Sequence, residues 1–189
     1  MEKERTLAAA GYTHRLATIE DIPSIIQLMQ RAIVVNMKPF LSAAEIEAAK
    51  ETMGVDRSLI IDGTYFLIES QTQDRRVLVG CGGWGKRRTL YGGDHSAGRN
   101  DSLSDPDTEA ARIRAMYTDP DWVRRGVGSL LLQLGEQAAR EAGFKTIELG
   151  STKAGEPLYR ARGYIETNRI VHVAANGADN LVITMRKVL

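Results

Sequence analysis

A single cysteine, Cys81, stands in a chain of 189 residues. An intramolecular disulfide is therefore excluded, a CxxC metal pair is excluded with it, and no metal site is expected. A lone thiol in the middle of an aliphatic stretch reads as a buried, inert small hydrophobe. Long apolar runs are missing too: no window approaches the ~18 apolar residues of a membrane span. The opening "MEKERTLAAAGYTHRL" carries charges but no apolar core of signal-peptide length. These absences predict no membrane partner and a place in the reducing cytoplasm. An excess of charge of one sign is also lacking, since the formal net charge is +1. No global field draws the chain to nucleic acid, and any basic site must be local. The short run Lys86–Arg88 beside Trp84 reads as a solvated strand end, so no nucleic-acid partner is expected. Repeats and low-complexity linkers are absent as well. One domain over residues 14–189, behind a loose tail at 1–13, is the expected organisation.

What is present alternates between two periods. "HRLAT" reads as a first strand. "IEDIPSIIQLMQRAI" carries Asp21 and Pro23 at its start and apolar residues Ile22, Ile25, Ile26, Met29 and Ile33 at helical spacing. Ser42 followed by Glu45 is a capping box for a second helix. "TYFLIES" and "RVLVGCGGW" read as an antiparallel hairpin over 64–70 and 77–84. The polar, glycine-rich segment 85–109 is longer than the ~12–15 residues usual for an unstructured connection, which makes it a candidate substrate-side loop. "ARIRAMYTD" reads as a strand, 127–142 as a helix striped by Val127, Leu130, Leu131, Leu134 and Ala138, and "KTIELGS" as another strand. A short helix near 156–162 and two final strands close the chain. The fold class is α+β: a mixed, mostly antiparallel sheet with flanking helices and a central βαβ crossover.

One stretch carries chemistry. In "WVRRGVGSLLLQ", Gly126 and Gly128 precede a long helix, with Arg124 and Arg125 ahead of them. A helix N-terminus has unpaired N–H groups and a partial positive charge. Glycines let an anion approach the main chain closely. Physics alone leaves an anion seat level with a plain strand-to-helix turn. A Walker A run is absent, and a Rossmann fingerprint fails because Leu131 stands where its third glycine is needed.

The stretch "AMYTDPDWVRRGVGSLLLQLGEQAAREAGFKTIEL" resembles the acetyl-CoA motif of the GCN5-related N-acetyltransferases (GNAT), a strand, a [RQ]xxGx[GA] turn, a long helix and a strand. "GEPLYRARGYIE" resembles the second signature of that family. The resemblance spans about His14 to Val188. Val123 departs from it, standing where the family has Arg or Gln; in the family that position contributes largely through its backbone N–H.

The resemblance implies a fold of the GNAT type, acetyl-CoA as cosubstrate, and transfer of its acetyl group to an amine by direct attack in a ternary complex. The backbone of Met116, Tyr117 and Thr118 would pair with the pantetheine arm and the acetyl carbonyl. Arg124, Arg125, Gly126, Val127, Gly128 and Ser129 would seat the pyrophosphate. Tyr159 would protonate the departing thiolate, because a phenol near pKa 10 stays protonated at neutral pH. Glu109 is the candidate general base, with Asp107 and His95 beside it. The acceptor is expected to be a small-molecule amine, and the acids Asp94, Asp101, Asp105 and Asp107 would attract a cationic one. A protein N-acetyltransferase and a non-catalytic acyl-CoA-binding module are the alternatives, and a homodimer through exposed strands is compatible with the family.

Overall fold

The structure, a computed structural model, describes residues 11–72 and 75–189. Seven strands form one sheet in the order β1-β2-β3-β4-β5-β7-β6. They are β1 (Tyr12–Leu16), β2 (Tyr65–Gln71), β3 (Arg76–Gly85), β4 (Ala111–Thr118), β5 (Thr146–Ser151), β6 (Ile165–Val173) and β7 (Asp179–Val188). Every neighbouring pair is antiparallel except β4 and β5. A crossover helix between parallel neighbours is the geometric requirement there, and Val127–Glu141 supplies it. The mixed sheet expected from the sequence is the one observed. Most of the tail foreseen at 1–13 lies outside the described residues, but Tyr12 and Thr13 of β1 pair with Ser70 and Glu69 of β2, so the first strand begins two residues before the expected His14.

Among the described residues, five α-helices flank the sheet: α1 (Ile22–Asn36), α2 (Ala43–Ala49), α3 (Arg57–Ile61), α4 (Val127–Glu141) and α5 (Glu156–Ala161). The predicted capping box at α2 is present, with the Ser42 hydroxyl accepting from Glu45 N–H and Glu45 accepting from Ser42 N–H. Helix α3 escapes the sequence reading because five residues are too few to show a period. Asp56 caps it, accepting from Ser58 N–H at 3.0 Å.

Alternation along the strands assigns each face a partner. Tyr65, Leu67, Cys81 and Tyr117 face α1, burying Ile25, Leu28 and Ile33. Ile68 and Val79 face α4, burying Val127, Leu130 and Leu131. Each aliphatic side chain so buried stabilises the fold by about 1.5–3 kcal/mol. The α4 stripe is wider than expected. Leu134 and Ala138 are half-buried, while Leu132 and Ala139 are fully buried, because a second cluster of Trp84, Ile113, Ile147 and Leu149 packs on that side of the helix. No helix among the described residues is long and apolar enough to cross a membrane.

Candidate active site

The site begins as a fault in β4. Its register against β3 slips between Cys81 and Gly83, so the strand carries an extra residue near Ala115 and Met116. Ala115 takes φ +48, a left-handed value costing a non-glycine residue about 1–3 kcal/mol. The Tyr65 hydroxyl donates to its carbonyl at 2.7 Å and holds it there. A bulge bends and twists its strand. The neighbour β5 follows β4 only at Ala111–Ile147 and Arg112–Glu148. Beyond Arg112 the two strands part, and the β5-facing backbone edge of Met116, Tyr117 and Thr118 has no strand partner. The gap opens into a cavity of about 950 Å³, bounded by those three residues and by Leu149, Gly150 and Ser151 of β5.

At one end of the cavity stands the N-terminus of α4. Arg124 and Gly126 both adopt left-handed conformations, φ +61 and +89, and Gly126 is the N-cap. A left-handed residue followed by a helical one turns successive N–H groups toward a common point, an anion-binding nest. No side chain caps the helix, and the first internal acceptor is Gly126 C=O, bonded to Leu130 N–H at 2.9 Å. Gly128 keeps this floor low: a Cβ there would lie 2.8 Å from Leu158 Cδ2. Arg162 donates from Nε and Nη2 to Ser129 Oγ at 3.1 and 2.6 Å, which sets a guanidinium beside the free N–H groups.

Met116, Tyr117, Thr118, Arg124, Gly126, Val127, Gly128 and Ser129 all line this one cavity, whereas Arg125 does not. Its guanidinium lies 4.9 Å from the centre of the Trp122 ring, and its carbonyl accepts from the Tyr12 hydroxyl at 3.1 Å. Arg125 therefore braces the turn, and Arg162, which the sequence reading passed over, lines the cavity together with Arg124. The available signal was its spacing, three residues after Tyr159 on the same helical face.

Tyr159 is brought to the cavity by α5. It is half-buried by surface because its ring faces the open space. Enough protein surrounds it, nonetheless, that burial pushes its phenol up to about 12. Among the described residues no hydrogen-bond partner reaches its hydroxyl, and Tyr164 packs edge-on against the ring at 5.9 Å. Cys81 is fully buried. Burial, only partly offset by a hydrogen bond with Tyr65, raises its thiol to about 12, and it does not line the cavity.

Glu109 has to be withdrawn as candidate base. It is not among the cavity residues. Arg88 grips both its oxygens at 2.7 and 2.9 Å, and Asp105 N–H adds a third bond at 2.7 Å. Arg88 foremost, with that backbone bond, holds its carboxyl at about 2, too acidic to draw a proton from an amine. Asp107 pairs with Lys145 at 3.4 Å, and His95 Nε2 is tied to Lys50 C=O at 2.9 Å; neither lines the cavity. Segment 85–109 touches the site only through Leu90, Tyr91 and Gly92. Several of its charges anchor it: Arg87 on Asp62 at 2.7 Å, Asp94 on Arg57, Asp101 on Arg99 at 3.0 Å. A buried Arg114 draws the segment onto β4, donating to Thr89 C=O at 2.8 Å, Gly92 C=O at 2.6 Å and Asp56 at 2.7 Å.

Among the described residues, no Asp, Glu, His or Lys lines the cavity. Its cations are Arg114, neutralised by Asp56, and Arg124 and Arg162 at the α4 end. Away from the α4 N-terminus the wall includes Ile33, Met37, Phe40, Met53 and Leu90 with the polar Asn36, Thr52 and Asn180. The space thus combines an anion-seeking helix end, a strand edge, a protonated phenol and a largely uncharged remainder.

The Acetyltransferase (GNAT) domain family matches residues 62–166, more than half of the chain. No curated protein matches it. Solved structures share the fold at low identity. A GCN5-related N-acetyltransferase from Rhodopseudomonas palustris aligns with a TM-score of 0.63 at 19% identity, covering 94% of this chain and 95% of that one. The Salmonella typhimurium protein yncA, solved with its cofactor acetyl-CoA, aligns at 0.61 and 17%, covering 95% and 94%. The ribosomal-protein-S18-alanine N-acetyltransferase of Escherichia coli aligns at 0.53 and 17%, covering 93% and 92%. The matched stretch runs from the end of α3 through the bulged strand, the glycine turn and Tyr159 to the start of β6, and the chain belongs to the GNAT acetyltransferase family.

Proposed function

We propose that the chain transfers the acetyl group of acetyl-CoA to the amine of a small molecule by direct attack in a ternary complex. The observation that carries this reading is the parting of β4 from β5 beside an uncapped helix N-terminus, with Tyr159 between them. The N–H groups of residues 124–129, together with Arg162 and Ser129, suit a pyrophosphate by charge and by donor type. The free edge of Met116–Thr118 suits the amide-bearing pantetheine arm, and its N–H groups are aligned to stabilise the oxyanion of the attacked carbonyl. A cavity of about 950 Å³ is within the range for small-molecule sites, ~300–1,000 Å³.

In this reading the amine nitrogen forms a bond to the acetyl carbon, the C–S bond breaks, and the sulfur takes a proton from Tyr159. An unpartnered phenol raised to about 12 stays protonated through the neutral range and has a lone donor to offer. An acetylated cysteine has no support, since Cys81 is inaccessible and its thiol is raised to about 12; the thiolate is the nucleophilic form.

Replacing Tyr159 by Phe keeps the ring and removes the proton. The expected result is a fall in kcat of about 10²–10⁴ with the Kd for acetyl-CoA, from titration calorimetry, unchanged. Full turnover by Tyr159→Phe would remove the phenol from the chemistry.

A further inference from the structure

The cavity holds an acid for the sulfur but, among the described residues, no carboxylate or imidazole of its own for the amine. One wall residue is backed by such a group. Tyr91 lines the cavity, and its hydroxyl lies 3.0 Å from His172 Nε2. The Tyr91 ring packs on Gly150, where a Cβ would meet its Cδ1 at 3.0 Å. Gly150 sits on β5 where that strand has parted from β4, so the base of the Tyr91 ring stands at that gap, while its hydroxyl reaches across the sheet toward His172 on β6. His172 comes from β6 and is outside the cavity wall, half-buried behind Tyr91.

We propose that Tyr91 and His172 form the proton exit for the acceptor amine, a relay in which Tyr91 is the catalytic group and His172 acts through it. The proposal rests on the acetyl-transfer reading above. As the amine nitrogen bonds to the acetyl carbon, its N–H proton passes through water in the cavity to Tyr91 Oη, and the Tyr91 proton passes to His172 Nε2. The imidazole becomes imidazolium. The C–S bond breaks, and the sulfur takes the Tyr159 proton. Solvent then carries the extra proton from His172 back to Tyr159, so the sum is amine plus acetyl-CoA giving amide plus CoA thiol. The relay requires the neutral tautomer with Nδ1 protonated and Nε2 bare, in which Nε2 accepts from the phenol. An imidazole is the side chain whose charge changes between about pH 5 and 8, which suits a base working at neutral pH.

The surroundings of His172 leave that role open to it. Tyr91 reaches it from the long segment, and Asn180 pairs with it across in β7. Asn180 is itself committed, donating to Ala48 C=O at 3.2 Å and Thr52 Oγ1 at 3.0 Å. Among the described residues no carboxylate lies within ion-pair distance of the ring. Tyr91 is held in turn by the backbone around it, since Arg114 clamps the carbonyls of Thr89 and Gly92 on either side.

The test compares kcat and acetyl-CoA affinity for the wild type, Tyr91→Phe, His172→Gln and the double variant, with one amine, from pH 5.5 to 9. Tyr91→Phe keeps the ring on Gly150, and His172→Gln alters a half-buried strand position, so both should fold. Each single variant is expected to lose about 10–100-fold in kcat near pH 8, with the Kd for acetyl-CoA unchanged. The wild-type advantage should shrink toward one as the pH falls and the imidazole is protonated. The double variant should be no slower than the singles, because two groups acting as one unit are lost only once. Losses that multiply in the double variant, a loss of the same size at every pH, or full activity of either single variant would each overturn the relay while leaving the transferase reading intact. A wild type that binds acetyl-CoA and acetylates no amine would overturn both.

Discussion

Tyr159 and Arg162 sit three residues apart and, in the proposed reading, serve opposite ends of one cosubstrate. The phenol has no partner and so retains its proton for use. The guanidinium has already found Ser129 and so is held where a phosphate would need it. A charge-assisted hydrogen bond contributes about 1.5–3 kcal/mol, so Arg162→Ala is expected to raise KM for acetyl-CoA about 10–100-fold with kcat changed little. Steady-state kinetics over an acetyl-CoA series checks this, and an unchanged KM would move the phosphate seat elsewhere. Single residues were unevenly legible. Gly126, Gly128 and Tyr159, which all line the cavity, stood out because the pattern that marks them lies within a few positions of the chain. Arg125 and Glu109 misled because partners remote in sequence decide where a side chain points: Trp122 and Tyr12 turn the first away, and Arg88 captures the second.

Among the elements, the turn before α4 and the bulge in β4 do the positioning. Their glycines fail in different ways. Gly126 carries φ +89 with open space where its Cβ would be, so Gly126→Ala is a conformational penalty of about 1–2 kcal/mol. Gly128 faces the cavity and Leu158, so Gly128→Val puts a branched side chain into the anion seat. Thermal melts and calorimetry should separate them: Gly126→Ala mainly lowers Tm, and Gly128→Val mainly weakens acetyl-CoA binding, by tenfold or more. Equal effects on both readouts would mean that the turn is a structural element only. Strand and helix order was readable because hydrophobic period and capping residues are local signals. The bulge was not, since it is defined by a slip against β3 that neither strand announces alone. The same holds for the relay of Tyr91 to His172, which joins positions 81 residues apart.

At the scale of the molecule, one buried ion cluster ties the long segment to the sheet. Asp56 is fully buried between Arg99 and Arg114, at 3.2 and 2.7 Å. Burial by itself would raise its carboxyl, but Ser58, Arg99 and Arg114 overcome it and hold the group below its ordinary value. The folded state therefore takes up this proton less readily than the unfolded chain. The stability it contributes is fully present above about pH 4, the unfolded value, and is lost as the pH falls through the lower folded value. Asp56→Ala leaves Arg114 buried without its carboxylate, a change expected to cost about 3–5 kcal/mol. At about 2–4 °C per kcal/mol for a chain of this size, that is a fall in Tm of roughly 6–20 °C, which calorimetry at pH 7 would read. A fall of less than a few degrees would mean that the segment is held chiefly by its backbone bonds.

In the proposed reading the whole arrangement converges on one act, attack of an amine on acetyl-CoA lying between β4 and β5. Initial velocities of CoA thiol release, with acetyl-CoA and amine varied together and the N-acetyl product identified by mass spectrometry, test it most directly. The account predicts release that requires the amine, intersecting double-reciprocal lines, and no acetyl group on the protein. Parallel lines with an acetylated protein, or tight acetyl-CoA binding with no amine-dependent release, would contradict it.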